Sequence, residues 1–226
     1  MRVPRKAAVL AAAVAAGCVA VSACGSVQMG AAAITGGARI TSATLTNEVA
    51  NLNAAYQADQ AANFSPESPV GQATQQALTW LIRFQIGDKV AQQHGINVTP
   101  AQVQKEFSAL SAAAASNKVT VPVYVSVLYA LPPDLVPQFG RYAAILSSLE
   151  SRITGGKAAS TQAEQTKLET ALERDQCLAS KGLGITVNPQ FGEFDYGTYS
   201  VVLVPPTLSA NQSPSKLAAI KLSPPC

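Results

Sequence analysis

Few side chains in this sequence could do chemistry. His94 is the only histidine, and four cysteines and 13 acidic residues complete the set of candidate bases, nucleophiles and ligands. A Ser–His–Asp or Cys–His arrangement needs an activated nucleophile in a recognisable setting, and no Gly-x-Ser-x-Gly elbow is present. One histidine, no cysteine cluster and scattered carboxylates do not make a metal site. A Cys-x-x-Cys redox pair is also missing. Gly36-Gly37 and Gly155-Gly156 lack the following Lys-Ser/Thr of a phosphate loop, so they read as turns. His94 falls where a helix is expected to end, and an imidazolium there would complement the helix dipole. Asp88, Glu106 and Glu164 read as helix-surface carboxylates. No catalytic residue, cofactor or metal is expected.

The cysteines speak to location instead. Arg2, Arg5 and Lys6 form a basic n-region, and Ala7 to Ala20 an Ala/Val h-region. Val21-Ser22-Ala23-Cys24 then resembles the lipobox of bacterial lipoproteins, with Val21 where leucine is usual. It implies cleavage before Cys24 and a lipid on its sulfur. Ala16-Gly17-Cys18 is a competing site with a shorter h-region, and an ordinary cleaved signal or an uncleaved anchor are the alternatives. Residues 1–23 are thus expected to be a signal peptide and 24–30 a tether. Cys177 and Cys226 remain as an even pair in an extracytoplasmic chain, either two thiols or a disulfide. A disulfide there would contribute about 4 kcal/mol in the chain-entropy model. Sixteen Lys and Arg stand against 13 Asp and Glu, and without the three basic residues of the leader the balance is 13 to 13. A neutral chain with no run of like charge argues against nucleic acid as a partner.

The elements that must position any site are mostly helical. The most apolar stretch lies within Ala77 to Phe107. Gln72, Gln76, Thr79 and Arg83 recur as one narrow polar stripe, and the rest of that helix is apolar and includes Trp80. Such a helix belongs at the centre of a bundle. Ser68-Pro69 supplies its expected N-cap and first residue, and His94-Gly95 its end. Thr99 and Gln102 predict a capping box around Pro100, with Val103, Phe107 and Leu110 facing inward.

Upstream, Gly36-Gly37 between two short apolar runs reads as a hairpin. Thr41 caps the following helix, whose buried stripe is Leu45, Val49, Leu52 and Tyr56. Downstream, residues 119–131 carry both a strand-like alternation of valines and a helical stripe. Pro122 favours the helix. Further helices are expected from Leu135 to Ile153 and from Thr161 to Lys181, the latter with a Thr161/Glu164 capping box. One or two short strands in residues 185–204 are expected to pair with the strand at Ile34. Residues 205–226, rich in Ser, Pro and Ala, read as a tail.

In this order, Ala33-Ile34-Thr35-Gly36-Gly37-Ala38-Arg39-Ile40-Thr41, the hydrophobic helix leading into Gly95-Ile96-Asn97-Val98-Thr99-Pro100-Ala101-Gln102-Val103, and Val187-Asn188-Pro189-Gln190-Phe191-Gly192-Glu193-Phe194 resemble the SurA N-terminal domain family. That family comprises extracytoplasmic chaperones related to parvulin-type prolyl isomerases, PrsA and trigger factor. The resemblance implies a mostly α domain over residues 31–204, closed by a small pair of N- and C-terminal strands. It also implies an apolar groove for extended segments of unfolded exported proteins. The parvulin insert is missing, since only about residues 111–160 could hold it and they read as helix, so isomerase activity is not expected.

Trp80, Phe84, Tyr124, Val125, Leu128 and Tyr129 are the candidate peptide-contacting residues, because aromatic and aliphatic side chains give sequence-tolerant contact area. The competing reading is that all six are core. The function expected is a chaperone-like lipoprotein on the outer face of the cell membrane, with unfolded or extended polypeptides as partners. The alternative is a structural or adaptor lipoprotein that holds one folded partner.

Overall fold

The chain enters the fold as a hairpin. In the computed structural model, which describes residues 30–61 and 72–204, strand β1 (Ala31–Thr35) pairs antiparallel with β2 (Ala38–Thr41). The turn is Gly36-Gly37, with φ of 57° and 85°. Two successive left-handed residues match the twist of a two-residue hairpin, and glycine adopts them without a Cβ penalty. The other edge of β1 takes β3 (Thr186–Val187), with Ala33 opposite Val187 and Ile34 opposite Thr186. The sheet order is β2-β1-β3, so N- and C-terminal strands do pair.

Helix α1 (Ser42–Ala61) follows without a break. Thr41 Oγ1 accepts from the Thr44 N–H at 3.0 Å, which caps it as the sequence predicts. Leu45, Leu52 and Tyr56 of its stripe are fully buried. Ser68 and Pro69 lie outside the described residues, and α2 is described from Ala73 to His94. Helix α2 packs against α1, β1 and β5 (Ser200–Val202), and also against α5 (Val136–Thr154) and α6 (Gln162–Leu183). It is the central helix. Eleven of its 22 residues are buried, and Leu78, Ile82, Ile86 and Val90 form one wall of the main core with Ile145, Leu149 and Ala179. Each such aliphatic side chain stabilises the fold by about 1.5–3 kcal/mol through burial.

Gly95 ends α2 in the left-handed conformation. Helix α3 (Pro100–Ser116) begins with the Thr99/Gln102 capping box, complete in both directions. Residues 121–129 form a helix, α4 (Val121–Tyr129), with Pro122 in its first turn, where a missing N–H costs nothing. A 3-10 turn at Pro133–Leu135 leads into α5, and Thr161 with Glu164 caps α6. Helix α6 runs past Gly182 to Leu183 before Gly184 caps it, two residues beyond Lys181. The Leu183 carbonyl then accepts from the Gly36 N–H at 2.6 Å and docks the end of α6 on the hairpin turn.

The last strands differ from expectation in one respect. Besides β3, residues 193–202 form a separate antiparallel hairpin of β4 (Glu193–Asp195) and β5, with Phe194 opposite Val201. It lies on α2. The approach of α5 to α2 is equally close, because Gly87 receives the ring of Tyr142. A Cβ on Gly87 would stand 2.6 Å from Tyr142 Cδ2.

Candidate functional site

The polar stripe of α2 positions the site. On a surface helix it would face water, yet here it holds the β4–β5 hairpin. Thr79 Oγ1 accepts from the Val201 N–H at 2.8 Å, and beside the stripe Gln75 Nε2 donates to the Phe191 carbonyl, just before β4, at 3.1 Å. Arg83 donates from Nε to the Tyr199 carbonyl at 3.0 Å and from Nη2 to the Thr198 carbonyl at 3.2 Å. Every one of these contacts is to backbone. The Thr79 bond reaches strand β5 itself, while the carbonyls bound by Gln75 and Arg83 lie in the turns that precede β4 and β5. The arginine also braces a strained residue: Tyr199 has φ of 50°, a left-handed conformation that costs a non-glycine residue about 1–2 kcal/mol. The Tyr199 hydroxyl donates to the Glu173 carbonyl at 2.7 Å, tying the same turn to α6.

Beside this hairpin, an open cavity of about 490 Å³ is lined by Gln72, Gln75, Gln76, Thr79, Trp80, Arg83, Tyr129, Ala130 and residues 200–203. Its apolar wall is the rim of an aromatic cluster. The Trp80 ring is 5.8 Å from Phe84, 5.4 Å from Phe139 and 6.1 Å from Tyr142, the last two edge-on. Its Nε1 donates to the Tyr129 carbonyl at 2.8 Å and ties α2 to the end of α4. A second, smaller cavity of about 260 Å³ lies across α2, with Leu81, Phe84 and Tyr142 at its base and Arg39, Asp88 and Arg141 at its rim.

The six candidate contact residues divide. Trp80, Phe84 and Val125 are buried, and together with Leu110, Leu131 and Leu135 they make a second core. Tyr124 and Leu128 are half-buried. Tyr129 is 41% exposed, stacked at 5.4 Å on Phe139 and 6.2 Å from Tyr124. Burial, then the neighbouring Tyr124, pushes the Tyr129 phenol up. The surface available to a ligand is therefore Tyr124, Leu128, Tyr129 and the part of Trp80 that lines the cavity. Sequence reasoning left out Arg83 and Thr79. The signal was there in their polarity on an otherwise apolar helix, but the partner was a segment 115 or more positions away.

The titratable groups elsewhere play structural parts. His94 Nε2 lies 3.3 Å from Asp175 Oδ2 and joins the end of α2 to α6. Asp88 pairs with Arg141 at 2.9 Å. Asp59 is buried and accepts from Ser126 Oγ at 2.6 Å, linking α1 to α4. Burial pushes its carboxyl up, and the Ser126 hydrogen bond partly offsets this. Burial and then the Asp134 charge raise Glu48, whose Oε2 has no partner, and burial followed by Asp59 pushes the Tyr56 phenol up to about 12. Among the described residues no group of three or more His, Cys, Asp or Glu is placed to hold a metal ion, and no described helix is long and apolar enough to cross a membrane.

Cys177 is buried and disulfide-bonded. Cys24, with the leader and most of the tether, and Cys226, with the tail, lie outside the described residues.

No curated protein and no solved structure matches the chain. Residues 3–131, more than half of its length, match the family described as the SurA-like N-terminal domain. That span runs from the leader through β1, β2 and α1 to α4, the elements that carry Trp80, Arg83 and Tyr129, and the chain therefore belongs to the SurA-like N-terminal domain family.

Proposed function

We propose that this chain is a chaperone-like lipoprotein, anchored through Cys24 on the extracytoplasmic face of the cell membrane, that binds unfolded or extended segments of exported proteins. The observation that carries this reading is the chemistry of α2. It holds a hairpin of its own chain through backbone-directed hydrogen bonds, from Thr79 to strand β5 and from Gln75 and Arg83 to the flanking turns, beside an open cavity walled by Trp80 and Tyr129. Backbone recognition next to aromatic area is tolerant of sequence, as a holder of varied clients requires. Family membership supports the same reading.

Prolyl isomerisation is not part of the proposal. Residues 111–160, where an isomerase insert would sit, are occupied by the end of α3, by α4 and by α5. A Cys177–Cys226 disulfide would fasten the tail to α6, in keeping with an oxidising compartment.

The lipidated chain is expected to suppress aggregation of an unfolded exported protein at near-stoichiometric ratio, and to bind extended peptides. Neither effect would leave the reading without support. Crosslinking and pull-down from membranes separates it from an adaptor role: many unfolded clients support a chaperone, and one stoichiometric folded partner supports the adaptor.

A further inference from the structure

Arg83 is half-buried, lies with Cζ 5.2 Å from the Trp80 ring centre, and has only neutral carbonyl partners. Among the described residues the ion pairs are His94–Asp175 and Asp88–Arg141, so no described carboxylate neutralises it. Its Nη1 makes no hydrogen bond to a described residue. Among the described residues the guanidinium is also the only charged group lining the 490 Å³ cavity. A cation drawn out of water without a counter-ion is costly, and the cost is relieved by an anion that reaches it. The planar fork of arginine fits a carboxylate better than any other common biological anion except phosphate. The rest of the lining favours a peptide. Gln72 and Gln75 bring amides suited to backbone groups, and Trp80 and Tyr129 bring flat apolar area.

We propose that this cavity is a carboxylate-reading peptide site, in which Arg83 binds the carboxylate of an extended polypeptide, from its C-terminus or from an Asp or Glu side chain. The site rests on the peptide-binding reading given above and adds a charge preference to it. The fork holds the hairpin carbonyls with Nε and one Nη2 hydrogen and leaves Nη1 and the second Nη2 hydrogen for the ligand. Sequence tolerance along the backbone is thereby combined with selection at one position.

Trp80 is the only tryptophan and forms part of the cavity wall, so its fluorescence reports occupancy directly. The test is a titration of the mature chain with one nine-residue extended peptide in four forms. Two have a C-terminal free acid or amide with no acidic side chain, and two are C-terminal amides with a central Asp or Asn. A charge-assisted fork contact predicts that the free acid, the Asp form or both bind at least about tenfold more tightly than the uncharged counterpart. Arg83→Gln should abolish that ratio. Tyr199→Phe removes the hydroxyl bond that ties the same turn to α6 but keeps the guanidinium, and should preserve it. Equal affinity of all four forms for the unaltered chain overturns the carboxylate site and leaves peptide binding standing. Binding of none of them overturns both.

Discussion

Thr79→Val tests the claim that the polar stripe of α2 fastens β5. The substitution keeps the β-branched shape and removes one acceptor. Thr79 is 7% exposed and Val201 5%, so the Val201 N–H cannot turn to water once the hydroxyl is gone. A buried donor left unsatisfied costs about 1–3 kcal/mol, whereas the gain from replacing a hydroxyl by a methyl is under about 1 kcal/mol. The net loss should be about 1–2 kcal/mol, a fall in Tm of roughly 2–8 °C for a chain of this size. Thr79→Ser retains the acceptor and loses only a methyl, about 0.8 kcal/mol. The valine variant should therefore be the less stable of the two, although it is the more apolar. Thermal and urea unfolding followed by Trp80 fluorescence gives the stabilities. Amide exchange at Val201 gives the local effect, with protection expected to fall about tenfold or more in the valine variant alone. If valine proves as stable as threonine and Val201 protection is unchanged, the hairpin is held by something other than the polar stripe.

Gly87→Ala gains about 1 kcal/mol of helix propensity, but its Cβ would meet the Tyr142 ring at 2.6 Å. Overpacking of about 1–3 kcal/mol should prevail in urea unfolding, and the penalty should shrink in a Tyr142→Leu background. Asp59 and Glu48 have folded-state pKa values raised by burial, so their contribution is fully present below the ordinary carboxylate range and is lost as pH rises through the raised values. Asp59→Asn with Glu48→Gln should flatten the decline in stability above about pH 4, as seen in unfolding midpoints measured between pH 4 and 7. Glu164 works in the opposite sense. Hydrogen bonds from the backbone and side chain of Ser160, then from Thr161, hold its carboxyl low, and the cap weakens as pH falls through that lowered value, so Glu164→Gln should remove this acid sensitivity from the α6 terminus. Tyr129→Ser, at an exposed position, should weaken peptide binding several-fold in the fluorescence titration while changing stability by about 1 kcal/mol or less.

Local signals carried most of the fold. The capping boxes at Thr99 and Thr161, the Gly36-Gly37 turn and the left-handed Gly95 are specified by residues within a few positions of one another, and each appears where its sequence pattern puts it. Residues 119–131 were harder because the valine alternation and the helical stripe compete, and Pro122 decided the outcome by suiting only the helix start. The β4–β5 hairpin was legible as strands but not as a partner of α2. Its docking depends on side chain-to-backbone bonds spanning more than a hundred residues, and such bonds leave no periodic trace. The candidate site divided for the same reason. Trp80, Phe84 and Val125 have the chemistry of a contact surface and of a core alike, and only the placement of α5 on α2 and of α4 on α1 and α3 decides between them.

The fastening of β5 to α2 also constrains the order in which the molecule can be made. Thr79 and Arg83 are synthesised well over a hundred residues before the backbone groups that satisfy them. Asn188, whose side chain donates to the Ala31 carbonyl at 3.1 Å, arrives later still relative to its partner. A chain threading outward from its N-terminus can form α1 to α4 from local contacts, but it leaves the stripe on α2 and the free edge of β1 open until residues 186–201 appear. Such long-range closures slow folding and are gained together at the end. For a stage of its own biogenesis the molecule is thus an α2 whose polar stripe waits for its partner, filled at the end by the β4–β5 hairpin.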